Sequence, residues 1–192
     1  MENKEFEYSE ANIVKLLHSI QRHMCTSYDV MIPNCYTSHD NEADIFAIRK
    51  SGLCDEFEVK ISRSDFFNDA KKIVAFRNIM PYDHLDQTSD HVWLDENYSD
   101  FHKKKAIAPW QKLKYEALKD GDMSTNYFWY AIKDGIVEID EIPEFAGVIV
   151  VKADGDFIIK RRPKKLHNNK MPFDERFRLA RKLGYRFWDL LT

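Results

Sequence analysis

The stretch Phe57–Lys72, FEVKISRSDFFNDAKK, changes period in its middle. Phe57, Val59 and Ile61 alternate with Glu58, Lys60 and Ser62, the period of two that belongs to a strand with one apolar face. Beyond Ser62 the apolar residues Phe66, Phe67, Ala70, Ile73, Val74 and Phe76 predict a helix, with Ser62 or Ser64 as its N-cap. This strand-to-helix junction sets Glu58, Lys60, Ser62, Arg63, Asp65 and Asp69 close together. A carboxylate and an ammonium side by side on a rigid strand are either a solvated surface pair or half of a metal-dependent active site. The neighbouring segments bear on that choice.

Upstream, ADIFAIR (Ala43–Arg49) is apolar on both faces and predicts a central strand. KSG is turn chemistry, and CDEFEVKIS returns antiparallel to ADIFAIR. YDVMIPNCY is a strand interrupted by Pro33, hence an edge strand or a bulge. Before it, Ser9 caps a helix whose apolar stripe is Ile13, Leu16, Leu17, Ile20 and Met24. Downstream, PWQKLKYEALK (Pro109–Lys119) reads as a helix with proline in its first turn. NYFWYAIK (Asn126–Lys133), GVIVVKA (Gly147–Ala153) and FIIKRR are further strands. Phe173–Leu191 is an amphipathic helix with Phe177, Leu179, Ala180, Leu183, Phe187 and Leu190 expected on its buried side. The order predicts one α/β domain over residues 1–192, a mixed sheet sandwiched by helices, with an acidic, irregular insertion at about 80–108.

A chain of 192 residues, 44% hydrophobic and 32% charged, has the size and balance of a soluble globular domain with a real core. No apolar run approaches the length of a membrane span, and the polar start MENKEFEYSEAN is not a secretory signal. Cys25, Cys35 and Cys54, odd in number and without CxxC spacing, argue against a disulfide framework and a zinc site. A reducing cytoplasm is the simplest home. The formal net charge of −3 gives no global attraction to nucleic acid. Yet Ile158–Lys170 carries Lys160, Arg161, Arg162, Lys164, Lys165 and Lys170 with no acid, whereas Met80–Asp100 is acidic without a Lys or Arg. Such segregation marks either a binding face beside a repelling segment or two solvated loops. His84, His91 and His102, with Asp86 and Asp90, match no zinc spacing and read as structural.

The chemistry-bearing set is Asp44, Glu58 and Lys60. Antiparallel pairing through the hairpin brings the start of the first strand to the end of the second, so the three side chains converge at one edge of the sheet. Two carboxylates within reach of each other raise one another's pKa unless a cation lies between them. Mg²⁺ suits the position, because it takes one or two carboxylates and completes its octahedron with water and phosphate. The Val59 carbonyl, between Glu58 and Lys60, can add a backbone ligand. Lys60 would orient or help deprotonate a water and offset charge on the attacked phosphate. Glu56 shares the face of Glu58 but lies further from Asp44.

The run EAD(44)IFAI…FE(58)VK(60)ISRSDFFNDAKK resembles the active-site core of the PD-(D/E)xK nuclease superfamily. It is similar, more closely, to the MmcB-like group of bacterial DNA-repair proteins and related phage-encoded nucleases. NYFWYAIKDGIVEIDEIPEFAGVIVV and RRPKKLH resemble that group's aromatic strand, Pro-Glu-x-x-Gly strand and basic exit, so the resemblance covers most of residues 42–168. It implies a restriction-endonuclease-like core and a Mg²⁺- or Mn²⁺-dependent deoxyribonuclease of DNA repair or phage DNA metabolism. Asp44, Glu58 and Lys60 are then catalytic, with Asp44, Glu58, the Val59 carbonyl and Glu10 of the first helix as the metal set. Glu56, Ser62, Arg63 and Asp65 support them. Lys114, Lys160, Arg161, Arg162, Lys164 and Lys165 become the DNA-contacting residues. The superfamily's Pro is Ala43 here, and its Lys-His before the aromatic strand is matched by Lys114-Tyr115. The implied partner is DNA, whether single-stranded, duplex or branched, with no membrane; homodimers are common among such small cores. The alternatives are a catalytically silent nucleic-acid- or partner-binding module on the same fold, and an inhibitor whose acidic insertion mimics nucleic acid.

Overall fold

The computed structural model describes residues 6–24, 28–37, 41–76 and 110–191; the acidic insertion falls outside them. Helix α1 (Glu10–Ser19) starts where Ser9 Oγ accepts a hydrogen bond from the Asn12 amide at 3.2 Å, and the short α2 (Gln21–Met24) follows it. Strands β1 (Tyr28–Tyr36), β2 (Glu42–Arg49) and β3 (Cys54–Lys60) form an antiparallel meander. After α3 (Arg63–Asp69) come β4 (Ile73–Phe76), β5 (Trp110–Leu113), α4 (Lys114–Lys119), β6 (Tyr127–Lys133), a 3₁₀ turn (Ile139–Glu141), β7 (Gly147–Val151), β8 (Phe157–Arg161) and α5 (Phe173–Asp189).

The main sheet has six strands in the order β1-β2-β3-β6-β7-β8. Strands β3, β6 and β7 run parallel and the remaining pairs are antiparallel. β1 is the edge strand that Pro33 requires, with a bulge between Tyr28 and Val30. On one face, α1 and α2 cover Ile45, Ala47, Phe57, Val59, Trp129, Ala131, Ile149 and Val151. On the other, α3, β4 and α4 cover Phe128, Tyr130, Ile132, Val148 and Val150, while α5 covers Phe46 and Ile48. The molecule is therefore a mixed α/β structure with helices on both faces of one sheet.

Three expectations change. Ile73–Phe76 does not continue the helix after Phe67; α3 stops at Asp69, and Ile73–Phe76 pairs with Trp110–Leu113 as a separate antiparallel ribbon. The β-branched pair Ile73-Val74 favours that extended state. Of the stretch expected to be helical from Pro109 to Lys119, Trp110–Leu113 is a strand, held extended by its pairing with Ile73–Phe76, and the helix begins only at Lys114. Finally, α5 packs through Leu179 and partly Leu183, and leaves Phe177, Phe187 and Leu190 exposed. Its basic side chains turn it: Lys182 donates to the Tyr36 carbonyl at 2.7 Å, and Arg186 to the Pro33 and Asn34 carbonyls. Those bonds hold the polar side of the helix against β1.

Candidate active site

The sheet forks between β2 and β3. Their pairing ends at Ile45–Phe57, while β2 continues along β1 as far as Glu42–Tyr36, and β3 continues along β6 as far as Lys60–Ile132. Beyond the last pair the two backbones no longer satisfy each other, and a side chain fills in: Asp44 Oδ2 accepts a hydrogen bond from the Val59 amide at 2.6 Å. The N–H and C=O of one strand residue point to the same side, so the Val59 carbonyl also faces the fork. Continuing the register by one position sets Asp44 opposite Glu58, on the same side of the sheet. Asp44, Glu58, Val59 and Lys60 thus meet where the sequence placed them.

Every residue of β3 is buried, including Asp55, Glu56, Glu58 and Lys60. Buried charges need partners, and most of these partners are lysines. Lys60 Nζ and Lys72 Nζ each donate to Glu58 Oε2 at 3.0 Å. Lys114 Nζ donates to Glu58 Oε1 at 2.6 Å and lies 2.8 Å from Glu56 Oε1. Glu56 also accepts from Asn41 Nδ2 at 2.9 Å and Thr125 Oγ1 at 2.5 Å. Asp69 Oδ1 sits 2.7 Å from Lys72 and 3.4 Å from Lys60, and its Oδ2 accepts from the Tyr130 hydroxyl, which is bonded in turn to Tyr115. Three ammonium groups therefore compensate three carboxylates beneath α3 and α4. Asp55, on the opposite face, is held separately by Arg49 at 2.6 and 2.8 Å, by Tyr28 and by Trp129.

The titration behaviour follows from this packing. Burial opposes the charge on Lys60, but Glu58 and Asp69 outweigh it and hold the amine above its ordinary value. In this arrangement Lys60 is held as a positive charge that donates a hydrogen bond to Glu58. Burial alone would raise Asp69; Lys114, Lys60 and Lys72 reverse this and hold it below the usual carboxylate range. Asp44 differs. Among the described residues it has no ion-pair partner, and burial followed by the charge of Glu58 pushes it from 3.8 to about 7. Two facing carboxylates, one unneutralised, are what a cation would relieve.

No three carboxylate, imidazole or thiol groups gather as a ready metal cage among the described residues. The donor set at the fork, two carboxylates and one backbone carbonyl, nevertheless suits a hard cation such as Mg²⁺. Glu58 would bind such an ion by releasing one of its ammonium partners. Glu10, at the exposed start of α1, is close enough to add to the upward shift of Asp44. Ser62 is the N-cap of α3, its Oγ accepting from the Asp65 amide at 3.2 Å, and Asp65 stands 3.9 Å from Lys60. Arg63 instead forms a surface fork with Glu141.

The expected DNA-contacting residues separate. Lys114 is wholly buried, so it is an interior counter-ion and cannot touch a phosphate on the surface. The Arg161 guanidinium is committed to the Ala146, Ile142 and Pro143 carbonyls, and Arg162 to Met24 and His23. Lys164 pairs with Glu144 at 2.8 Å, whereas Lys160 and Lys165 are exposed. Lys72 and Tyr130 were not among the residues singled out from sequence. The i, i+3 pairing of Asp69 with Lys72 was the readable hint.

No helix among the described residues is long and apolar enough to cross a membrane. No family model and no curated protein matches the chain. Among solved structures, the fold is similar to the SPO1766 protein of unknown function from Silicibacter pomeroyi, with a TM-score of 0.52 and 14% identity over 97% of this chain and 91% of that one. At that identity the likeness speaks for the fold alone.

Proposed function

We propose that this protein is a Mg²⁺- or Mn²⁺-dependent nuclease acting on DNA, built on a restriction-endonuclease-like core. The observation that carries the reading is the fork: Asp44, Glu58 and Lys60 meet where two strands part, with one carboxyl in want of a cation. Asp44, Glu58 and the Val59 carbonyl would hold the ion, which when bound supplies Lewis-acid stabilisation to a phosphoryl oxygen. Lys60 keeps its proton and directs a fixed positive charge at the phosphate, the kind of preorganised electrostatics that favours developing negative charge. Lys72 and Asp69 hold the Lys60–Glu58 pair in place. Exposed Lys160 and Lys165 would add contacts to the phosphate backbone, giving salt-sensitive affinity without sequence reading.

One observation favours a second reading on the same fold, a catalytically silent DNA-binding module: both oxygens of Glu58 already have ammonium partners. The experiment separates the two. Purified protein is incubated with single-stranded, duplex and branched DNA in Mg²⁺, Mn²⁺ or EDTA. The nuclease reading expects cleavage that EDTA, Asp44→Ala and Lys60→Ala each abolish. Salt-sensitive binding without cleavage in either metal supports the silent module and refutes the nuclease.

A further inference from the structure

The C-terminal helix points its larger apolar stripe away from the protein. Phe173, Phe177, Ala180, Gly184 and Phe187 recur at intervals of four, three, four and three residues, the alternation that keeps one seam on one side of a helix, and Leu191 follows four residues on in the turn that closes it. The four large members are 73%, 60%, 57% and 61% exposed, and neighbouring Trp188 is 64% exposed. The opposite side of the helix carries Leu179, Leu183, Lys182 and Arg186, and this is the side fastened to β1.

We infer that this seam is the interface of a two-fold homodimer in which α5 packs antiparallel against α5 of a second copy. The spacing reads the same in both directions. Reversing one helix about the midpoint between Ala180 and Gly184 sets Phe173 against Leu191 of the second copy, Phe177 against its Phe187, and Ala180 against its Gly184. Each layer of an antiparallel coiled-coil seam is then filled, and an isologous interface needs just such self-complementarity. The small residues fall at the centre, where a Cβ added to Gly184 meets nothing within 4 Å, so the two backbones can approach closely. Antiparallel packing also aligns the helix dipoles favourably.

The area is sufficient. With about 200 Å² per large side chain and these exposures, the stripe offers roughly 600 Å² per protomer. That gives roughly 1,200 Å² across the pair, the lower end of specific interfaces. A monomer rarely leaves so large an apolar patch uncovered. Arg181 flanks the seam, stacked over Tyr185 at 5.7 Å, and meets its own copy across the axis. Salt should therefore tighten the dimer. Attraction of the same helix to an anionic lipid surface or to nucleic acid would weaken instead.

Sedimentation of the full chain from about 1 to 100 µM tests this. A monomer–dimer equilibrium is expected, strengthened between 50 and 500 mM NaCl. Phe177→Asp and Phe187→Asp should each raise the dissociation constant at least about 100-fold, since every substitution acts twice in a two-fold interface. Both side chains are largely exposed, so the melting curve of the monomer should hold. The register is read by cross-linking: oxidising a mixture of Ala180→Cys and Gly184→Cys proteins should give a covalent dimer beyond the unsubstituted control, and neither protein alone should. A chain monomeric throughout, a dimer indifferent to both aspartates, or efficient cross-linking of Ala180→Cys alone overturns the inference. So does a monomer that binds phosphatidylserine vesicles through Phe177.

Discussion

Lys114→Met isolates the role of the lysine buried beneath the sheet. Methionine keeps most of the volume and removes only the ammonium, leaving Glu56 and Glu58 without the group now 2.8 and 2.6 Å from them. Glu58 would retain Lys60 and Lys72, and Glu56 would retain Asn41 and Thr125. The compensation of three carboxylates by three lysines is nonetheless broken in a fully buried place. Breaking a buried pair on one side costs about 3–5 kcal/mol, which for a chain of this size lowers Tm by roughly 6–20 °C. Lys114 is held well above the ordinary lysine value of 10.5: burial opposes its charge, and Glu56 and Glu58 outweigh it. Its stabilisation is accordingly complete below 10.5 and is lost only as pH climbs through the raised value. Thermal and urea melts at pH 6 and pH 9 should thus report similar penalties. Adding Glu56→Gln to Lys114→Met removes one of the stranded charges and should recover at least about 1 kcal/mol, the coupling expected of contacting residues. A Tm within about 2 °C of the unsubstituted chain, or no recovery in the double variant, would refute the buried cluster as drawn.

Asp44→Asn in EDTA should be neutral near pH 3.5 and stabilising at pH 8. A carboxyl moved from 3.8 to about 7 by burial and Glu58 loses folded-state stability as pH rises between those values, by about 4 kcal/mol at most. An identical Tm difference at both pH values contradicts this. Gly147→Ala should lower Tm by roughly 2–12 °C, because the new Cβ falls 2.4 Å from Trp129 Cε3 and 2.8 Å from Pro163 Cδ, and overpacking costs about 1–3 kcal/mol; an unchanged melt would show that Trp129 can shift. Tyr130→Phe takes the hydroxyl from Asp69 and strands Tyr115, so urea unfolding should show about 1–3 kcal/mol less stability with an unchanged m-value.

Much of the site was legible because it rests on local rules. Ser9 and Ser62 cap their helices, β2 and β3 pair through the KSG turn, and a period of two sends Glu58 and Lys60 to one face. What misled were features whose meaning depends on distant partners. Ile73–Phe76 carries helical spacing but has an extended partner in Trp110–Leu113, more than thirty residues away in the chain. Lys114 reads as a surface phosphate contact until Glu56 and Glu58 are found above it.

The chain by itself determined the caps, the alternation of β3 and the meeting of Asp44 with the E-x-K strand, because each follows from backbone periodicity or a short hairpin. Only the tertiary structure decided which charges are interior and which way α5 faces. Both depend on long-range compensation: a buried carboxylate settles where ammonium groups from other elements reach it, and a helix with two apolar sides turns inward the one whose neighbouring lysine and arginine can bind the edge-strand carbonyls.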